Sequence, residues 1–183
     1  LLLERSSINR RKSPHPHADL ERAEDMRVEI WSDIACPWCY VGKARFDKAL
    51  AAFPHRDAIE VVYRSYELDP DRVKEDVQPF LTMLIEKYGM HEAQAQAMDN
   101  NISAQAAAEG LEYCAQGRDH GNTFDMHRLL HFAKEHGKQG ELAERLYQAN
   151  YADERSVFND DERLVELAAS VGLDADATRK VLA

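Results

Sequence analysis

A strand that runs straight into C-x-x-C and then into a helix leaves a chain few options. Residues 28–40 read V-E-I-W-S-D-I-A-C-P-W-C-Y. Residues 28–32 alternate as a strand, a short turn follows, and Cys36 and Cys39 stand where helical periodicity begins. A helix N-terminus carries unpaired N–H groups and a positive partial charge, which favour sulfur as thiolate, its nucleophilic form. Pro37 suits the first helical turn, because it has no N–H to lose and its φ is already helical. Further along, Cys39, Phe46, Ala49, Leu50 and Phe53 recur at helical spacing and mark the face expected to pack on the sheet. That puts Cys39 on the shielded side and Cys36 at the exposed helix mouth. The spacing therefore assigns Cys36 as the attacking thiol and Cys39 as the resolving one.

A C-x-x-C also forms half of many structural zinc sites, but those need four ligands. Cys114 has no C-x-x-C partner, and His15 and His17 lie in a polar leader, so no metal is expected. Three cysteines do not make a disulfide framework, which points to a reducing compartment, the cytoplasm. The formal charge of −10 argues against nucleic acid as a partner. No apolar run approaches the ~20 residues that span a bilayer, so no membrane partner is expected either.

Taken in order, residues 1–26 have no sustained period and read as a leader, disordered or tag-derived. Residues 27–70 hold two strands, 27–32 and 58–66, around a helix over 37–53. In the second strand Ile59, Val61 and Tyr63 alternate with Glu60, Val62 and Arg64. Strand, helix and strand in so little chain make a βαβ unit with parallel strands, of the α/β class. Residues 71–183 then read as six capped amphipathic helices, almost wholly helical from residue 78 onward. Asn122, Asp160 and Asp174 stand as N-caps and Gly89, Gly110, Gly137 and Gly172 as stops. A helical domain inserted after the second strand, packed across the mouth of the Cys36 site, fits this order.

With those residues in view, the chain resembles the DsbA-like thioredoxin-fold oxidoreductases, most closely their FrnE-type branch. S-D-I-A-C-P-W-C-Y-V-G at 32–42, S-Y-E-L at 65–68 and G-N-T-F-D-M-H-R at 121–128 carry the resemblance. It implies a thioredoxin-like fold with an inserted all-helical domain, and thiol–disulfide exchange through Cys36 and Cys39 with Pro37 and Trp38 tuning the pair. The partners would be protein or small-molecule thiols and disulfides, with no cofactor beyond the cysteine pair. The resemblance also puts Asn122, Thr123, Phe124, His127 and Arg128 near the groove of the site. One departure stands out: no proline follows Pro79, whereas the family carries a later cis-proline against its C-x-x-C. The C-terminal part of the thioredoxin fold is therefore expected to lie outside this sequence.

Two rival functions remain at this point. A glutathione-dependent isomerase or transferase of the kappa type shares the fold but uses one serine or cysteine, which the Cys36/Cys39 pair disfavours. A chaperone-like or zinc-binding module would use the helical groove without turnover. Cys114 reads as a small apolar filler. His127 and His131, one helical turn apart, read as packing or surface residues in the absence of a third ligand.

Overall fold

The computed structural model describes residues 26–114, 118–153 and 155–183. The leader expected over 1–26 lies, Met26 apart, outside them. β1 (Met26–Ser32) and β2 (Ile59–Ser65) pair in parallel, Met26 opposite Ile59 and Ser32 opposite Ser65, with α1 (Pro37–Ala52) as the crossover. The alternation expected of β2 is incomplete, because Val62 is buried as well as Tyr63. Tyr63 belongs to the core shared with the helices and Val61 packs against it. Val62, pointing the other way, is buried too, although Trp31 on that same face is 61% exposed.

Beyond β2 come β3 (Gln78–Pro79), α2 (Phe80–Tyr88), α3 (Glu92–Ala108), β4 (Asp119–His120), α4 (Phe124–Glu135), α5 (Gln139–Tyr151), α6 (Asp161–Ser170) and α7 (Ala175–Leu182). The stretch expected to be helix alone thus contains one short antiparallel ladder, Gln78 against His120 and Pro79 against Asp119. The expected caps hold at α6 and α7: Asp160 accepts from the Arg163 N–H at 2.9 Å and Asp174 from the Ala177 N–H at 2.7 Å. The N-cap of α4 is Thr123 rather than Asn122. Asn122 instead makes a turn one residue earlier, accepting from the Phe124 N–H at 2.9 Å, while its amide donates to the Arg72 carbonyl at 2.7 Å.

The largest correction concerns α1. Its buried residues are Pro37, Tyr40, Val41 and Lys43. Ala49, on the face expected to pack, is exposed, and Cys39, Phe46, Leu50 and Phe53 are half-buried. The helical region covers the side of α1 that periodicity leaves to solvent. Tyr40 stacks on Tyr151 of α5 with centroids 5.2 Å apart, and Lys43 reaches Glu144 of α5 at 2.6 Å. Arg45 and Lys48 both pair with Glu109, just past α3.

The 27–70 and 71–183 units share one apolar core. It joins Ile34, Ala35, Tyr40 and Tyr63 to the inner faces of α4, α5, α6 and α7, while Phe80, Met83, Leu84 and Ala95 form a separate cluster between α2 and α3. Gln139, at the start of α5, ties the two units at backbone level. Its side chain accepts from the Tyr63 N–H at 3.0 Å and donates to the Tyr63 carbonyl at 2.9 Å. A buried amide thus takes the place of a neighbouring strand on β2 and satisfies groups that burial would otherwise leave unpaired.

Candidate active site

The turn between β1 and α1 is buried from Ser32 to Ala35, so its backbone needs partners inside the protein. α5 provides them. Tyr147 Oη donates to the Asp33 carbonyl at 3.2 Å. Asn150 Nδ2 and Tyr151 Oη donate to the Ile34 carbonyl at 2.9 and 3.0 Å. The Asp33 carbonyl also accepts from the Cys36 N–H at 3.1 Å, which closes the turn. Tyr147, Asn150 and Tyr151 lie within one helical turn, so a single rigid face sets the path of the chain into the motif.

Cys36 is the N-cap of α1 with an extended backbone, and Pro37 opens the helix. The Cys36 carbonyl accepts from the N–H groups of Cys39 and Tyr40 at 3.0 and 3.3 Å. Both cysteines are half-buried free thiols, whereas Cys36 is expected from the sequence to be exposed and Cys39 shielded. A hydrogen bond between the thiols couples their titration. Cys39 is drawn down to about 7, chiefly by that bond from Cys36, against the effect of burial. Cys36 is pushed up, first by the same bond and then by burial, although the N–H groups of Cys39 and Trp38 favour its anion. The two thiols hold one negative charge between them near neutral pH, and the charge belongs to the pair.

Asp33 lies three residues before Cys36 and is almost fully buried. One carboxylate oxygen accepts from His127 Nε2 at 3.2 Å and the Ala35 N–H at 3.3 Å; the other accepts from the Leu68 N–H at 2.7 Å. Burial alone would raise its pKa, but hydrogen bonds from His127, the Leu68 N–H and Thr123 hold it below the usual carboxylate range.

Two cavities flank the motif. One, of about 220 Å³, opens beside Cys36 between the motif and the α2–α3 pair. The other, of about 280 Å³, lies behind Cys39 and is lined by Trp31, Phe46, Tyr63 and Tyr147 among others. Trp38 is 45% exposed at the rim of the first, the position that favours docking over packing.

The family model for the DSBA-like thioredoxin domain matches residues 27–183. The chain belongs to the DSBA-like thioredoxin domain family. The crystal structure of the probable DsbA oxidoreductase SCO1869 from Streptomyces coelicolor is 71% identical, with a TM-score of 0.83 over 86% of this chain and 67% of that one. Protein YwbO of Bacillus subtilis (strain 168) is 28% identical over 159 residues, 86% of this chain and 72% of that protein. A 2-hydroxychromene-2-carboxylate isomerase structure is 14% identical with a TM-score of 0.56, over 86% of this chain and 71% of that one, a likeness of fold alone. The DsbA-like thioredoxin fold is thereby shown for this chain.

Within this DSBA-like domain the five residues expected near the groove take separate places. Thr123 and His127 reach the motif turn through Asp33. Asn122 holds Arg72 and Phe124 is exposed. Arg128 binds Asp125 at 2.9 Å and the Leu182 carbonyl at 3.1 Å. None of the five lines the cavity beside Cys36, whose outer wall comes from α2 and α3. His131 Nε2 lies 3.0 Å from Ser65 Oγ, and Cys114 is half-buried with its Sγ donating to the Ala152 carbonyl at 3.4 Å. Among the described residues no group of three or more His, Cys, Asp or Glu side chains could hold a metal ion, and no helix is long and apolar enough to cross a membrane.

Sequence reading missed Asp33, His120, Gln139, Tyr147 and Asn150. For Gln139 and Asn150 a signal existed: both are polar residues on the otherwise apolar inner face of α5. Asp33 and His120 stand in a turn and a two-residue strand, where no periodicity marks them.

Proposed function

We propose that this chain is a thiol–disulfide oxidoreductase working through Cys36-Pro37-Trp38-Cys39, with Cys36 as nucleophile and Cys39 as resolving thiol. The observation that carries the reading is the pair of free thiols at the N-terminus of α1, with Cys36 as its N-cap and opening on a cavity. The Cys36 thiolate attacks one sulfur of a substrate disulfide; that S–S bond breaks, and the other sulfur leaves as thiolate and takes a proton from water. Cys39, once deprotonated, attacks Cys36 sulfur and expels the second substrate sulfur as thiolate. The substrate gains two electrons and the pair becomes a disulfide. An external dithiol reverses the step and restores the enzyme.

The substrates and electron donors in this reading are protein or small-molecule thiols and disulfides, and the working compartment is the cytoplasm, on the cysteine usage. No further cofactor takes part. The likeness to the isomerase is one of fold, and the second cysteine separates this chain from a single-nucleophile, glutathione-dependent enzyme.

Trapping tests the reading. Cys39→Ser should accumulate mixed disulfides with a disulfide substrate on non-reducing gels, and Cys36→Ser should form none. Equal trapping by both variants would overturn the assignment.

A further inference from the structure

Asp33 puts a full negative charge where α1 offers a partial positive one. Its carboxylate lies in the turn that opens the helix, three residues before Cys36, and accepts from the Ala35 N–H at 3.3 Å and the Leu68 N–H at 2.7 Å. The residue is 2% exposed, so solvent screens its charge little. A further donor, His127 Nε2, stands 3.2 Å away. The other ring nitrogen, Nδ1, is buried with no hydrogen-bond partner among the described residues. A cationic ring would carry a second buried N–H with no acceptor, so the neutral ring fits, and a neutral ring leaves the charge of Asp33 uncompensated.

The charges around the thiols do not offset it. Among the described residues that line the two cavities, the lysine and arginine side chains are Lys43 and Lys87. Lys43 is shared between Asp47 and Glu144 at 2.6 Å each, and Lys87 lies 3.3 Å from Asp69. His120, whose pKa burial lowers to about 4, is uncharged at neutral pH. Pro37 and Trp38, between the thiols, carry no charge. The N-terminus of a helix favours a thiolate with roughly half an elementary charge, and the carboxylate opposes it with a whole one. A thiolate exists only in the reduced pair, since a disulfide has nothing to ionise. A charge that opposes the thiolate therefore raises the energy of the dithiol, leaves the disulfide alone, and makes the dithiol the better electron donor.

We infer that the buried carboxylate of Asp33, held by His127, sets the direction of exchange: it makes the Cys36–Cys39 dithiol a reductant, so that the chain reduces disulfides rather than forming them. The inference rests on the exchange reading of the pair. In each turnover the dithiol gives two electrons and two protons to a substrate disulfide; the substrate S–S bond breaks into two thiols, and the bond between Cys36 and Cys39 forms. An external dithiol then reduces that bond and is itself oxidised to a disulfide. The Asp33 carboxylate makes and breaks no bond and is a positioning group that acts through its charge. The titration of the pair agrees. The charge of Asp33 opposes ionisation of Cys39, and the pair releases its first proton at about 7. Thioredoxin, a reductant, holds its reactive thiol at about 7, whereas DsbA, an oxidant, holds its own at about 3.5.

Equilibration with glutathione tests the inference, the disulfide between Cys36 and Cys39 being quantified by mass after acid quenching and alkylation. In a millimolar buffer of mainly reduced glutathione at pH 7, the parent pair should stand mostly as the disulfide, having passed its electrons to the small amount of oxidised glutathione. A parent pair that stands mostly as the dithiol there is an oxidant and overturns the inference, whether or not any variant folds. Asp33→Asn removes the charge and retains an acceptor for the surrounding N–H groups. Its equilibrium should move about tenfold toward the dithiol, roughly 30 mV for two electrons, and its alkylation midpoint should fall. His127→Gln, which retains a donor to Asp33 and leaves the charge in place, should stay close to the parent. Equal shifts in the two variants mean that a loosened turn rather than the charge sets the equilibrium, and overturn the inference. If no disulfide forms between Cys36 and Cys39 at any glutathione ratio, the exchange reading itself falls, whereas a disulfide whose equilibrium ignores Asp33→Asn removes the role of Asp33 alone.

Discussion

The carboxylate of Asp33 and the imidazole of His127 meet at 3.2 Å, both almost fully buried, and join the turn ahead of Cys36 to α4. The sense of the pH dependence follows from the depressed pKa of Asp33. Its contribution is fully present above the ordinary carboxylate value of 3.8 and is lost as pH falls through the lower folded value. Asp33→Asn should therefore be less stable than the parent chain at pH 7, and the gap should narrow below about pH 4. His127→Leu leaves a buried carboxylate short of a donor and should cost about 3 kcal/mol. Urea unfolding of the three proteins across that range checks both, and a gap independent of pH would count against a charged Asp33.

Gln139 should matter more than its place on a helix suggests. Gln139→Ala strips both partners from the Tyr63 backbone, and each buried group left unpaired costs roughly 1–3 kcal/mol. Hydrogen exchange at the Tyr63 amide should accelerate in step with the loss of stability. A surface substitution such as Asn101→Ala, at an exposed position of α3, should stay within about 0.5 kcal/mol.

Two glycines should respond in opposite ways to the same change. A Cβ on Gly121 would stand 2.9 Å from Phe158 Cβ and Cγ, so Gly121→Ala forces a buried ring to move and should destabilise by about 1–3 kcal/mol. A Cβ on Gly140, within α5, meets nothing nearer than Tyr63 at 4.0 Å, so Gly140→Ala should stabilise by up to about 1 kcal/mol. Paired thermal melts decide. Equal shifts for the two would mean that Phe158 yields freely.

The contrast between α1 and α6 explains what could be read from the chain. α6 lies on one core, so its stripe of Leu164, Leu167 and Ala168 and its Asp160 cap were legible at once. α1 is covered on more than one side, and a helix buried this way has no single stripe: Lys43 is buried through ion pairs and Ala49 is exposed. The site divides in the same manner. Cys36 and Cys39 carry their chemistry in their spacing. The groups that hold them come from far along the chain, Tyr147 and Asn150 over a hundred residues on, and no local pattern ties an α5 hydroxyl to the carbonyl of Asp33.

The cysteine pair yields the most direct prediction. Cys39 is drawn down to about 7 first of all by its hydrogen bond from Cys36. Removing that donor should release it, so in Cys36→Ala the alkylation midpoint of Cys39 should rise toward the ordinary thiol range. In Cys39→Ala, Cys36 loses the partner that pushed it up and keeps the Trp38 N–H that favours its anion, so its midpoint should fall. The parent pair should lose its first proton near 7 and its second far higher, because the second negative charge forms beside the first. Iodoacetamide rates between pH 5 and 10, with mass mapping of the labelled cysteine, give all three profiles. If both single variants titrate where the parent does, the thiols do not share a proton, and the helix N-terminus alone must activate the site.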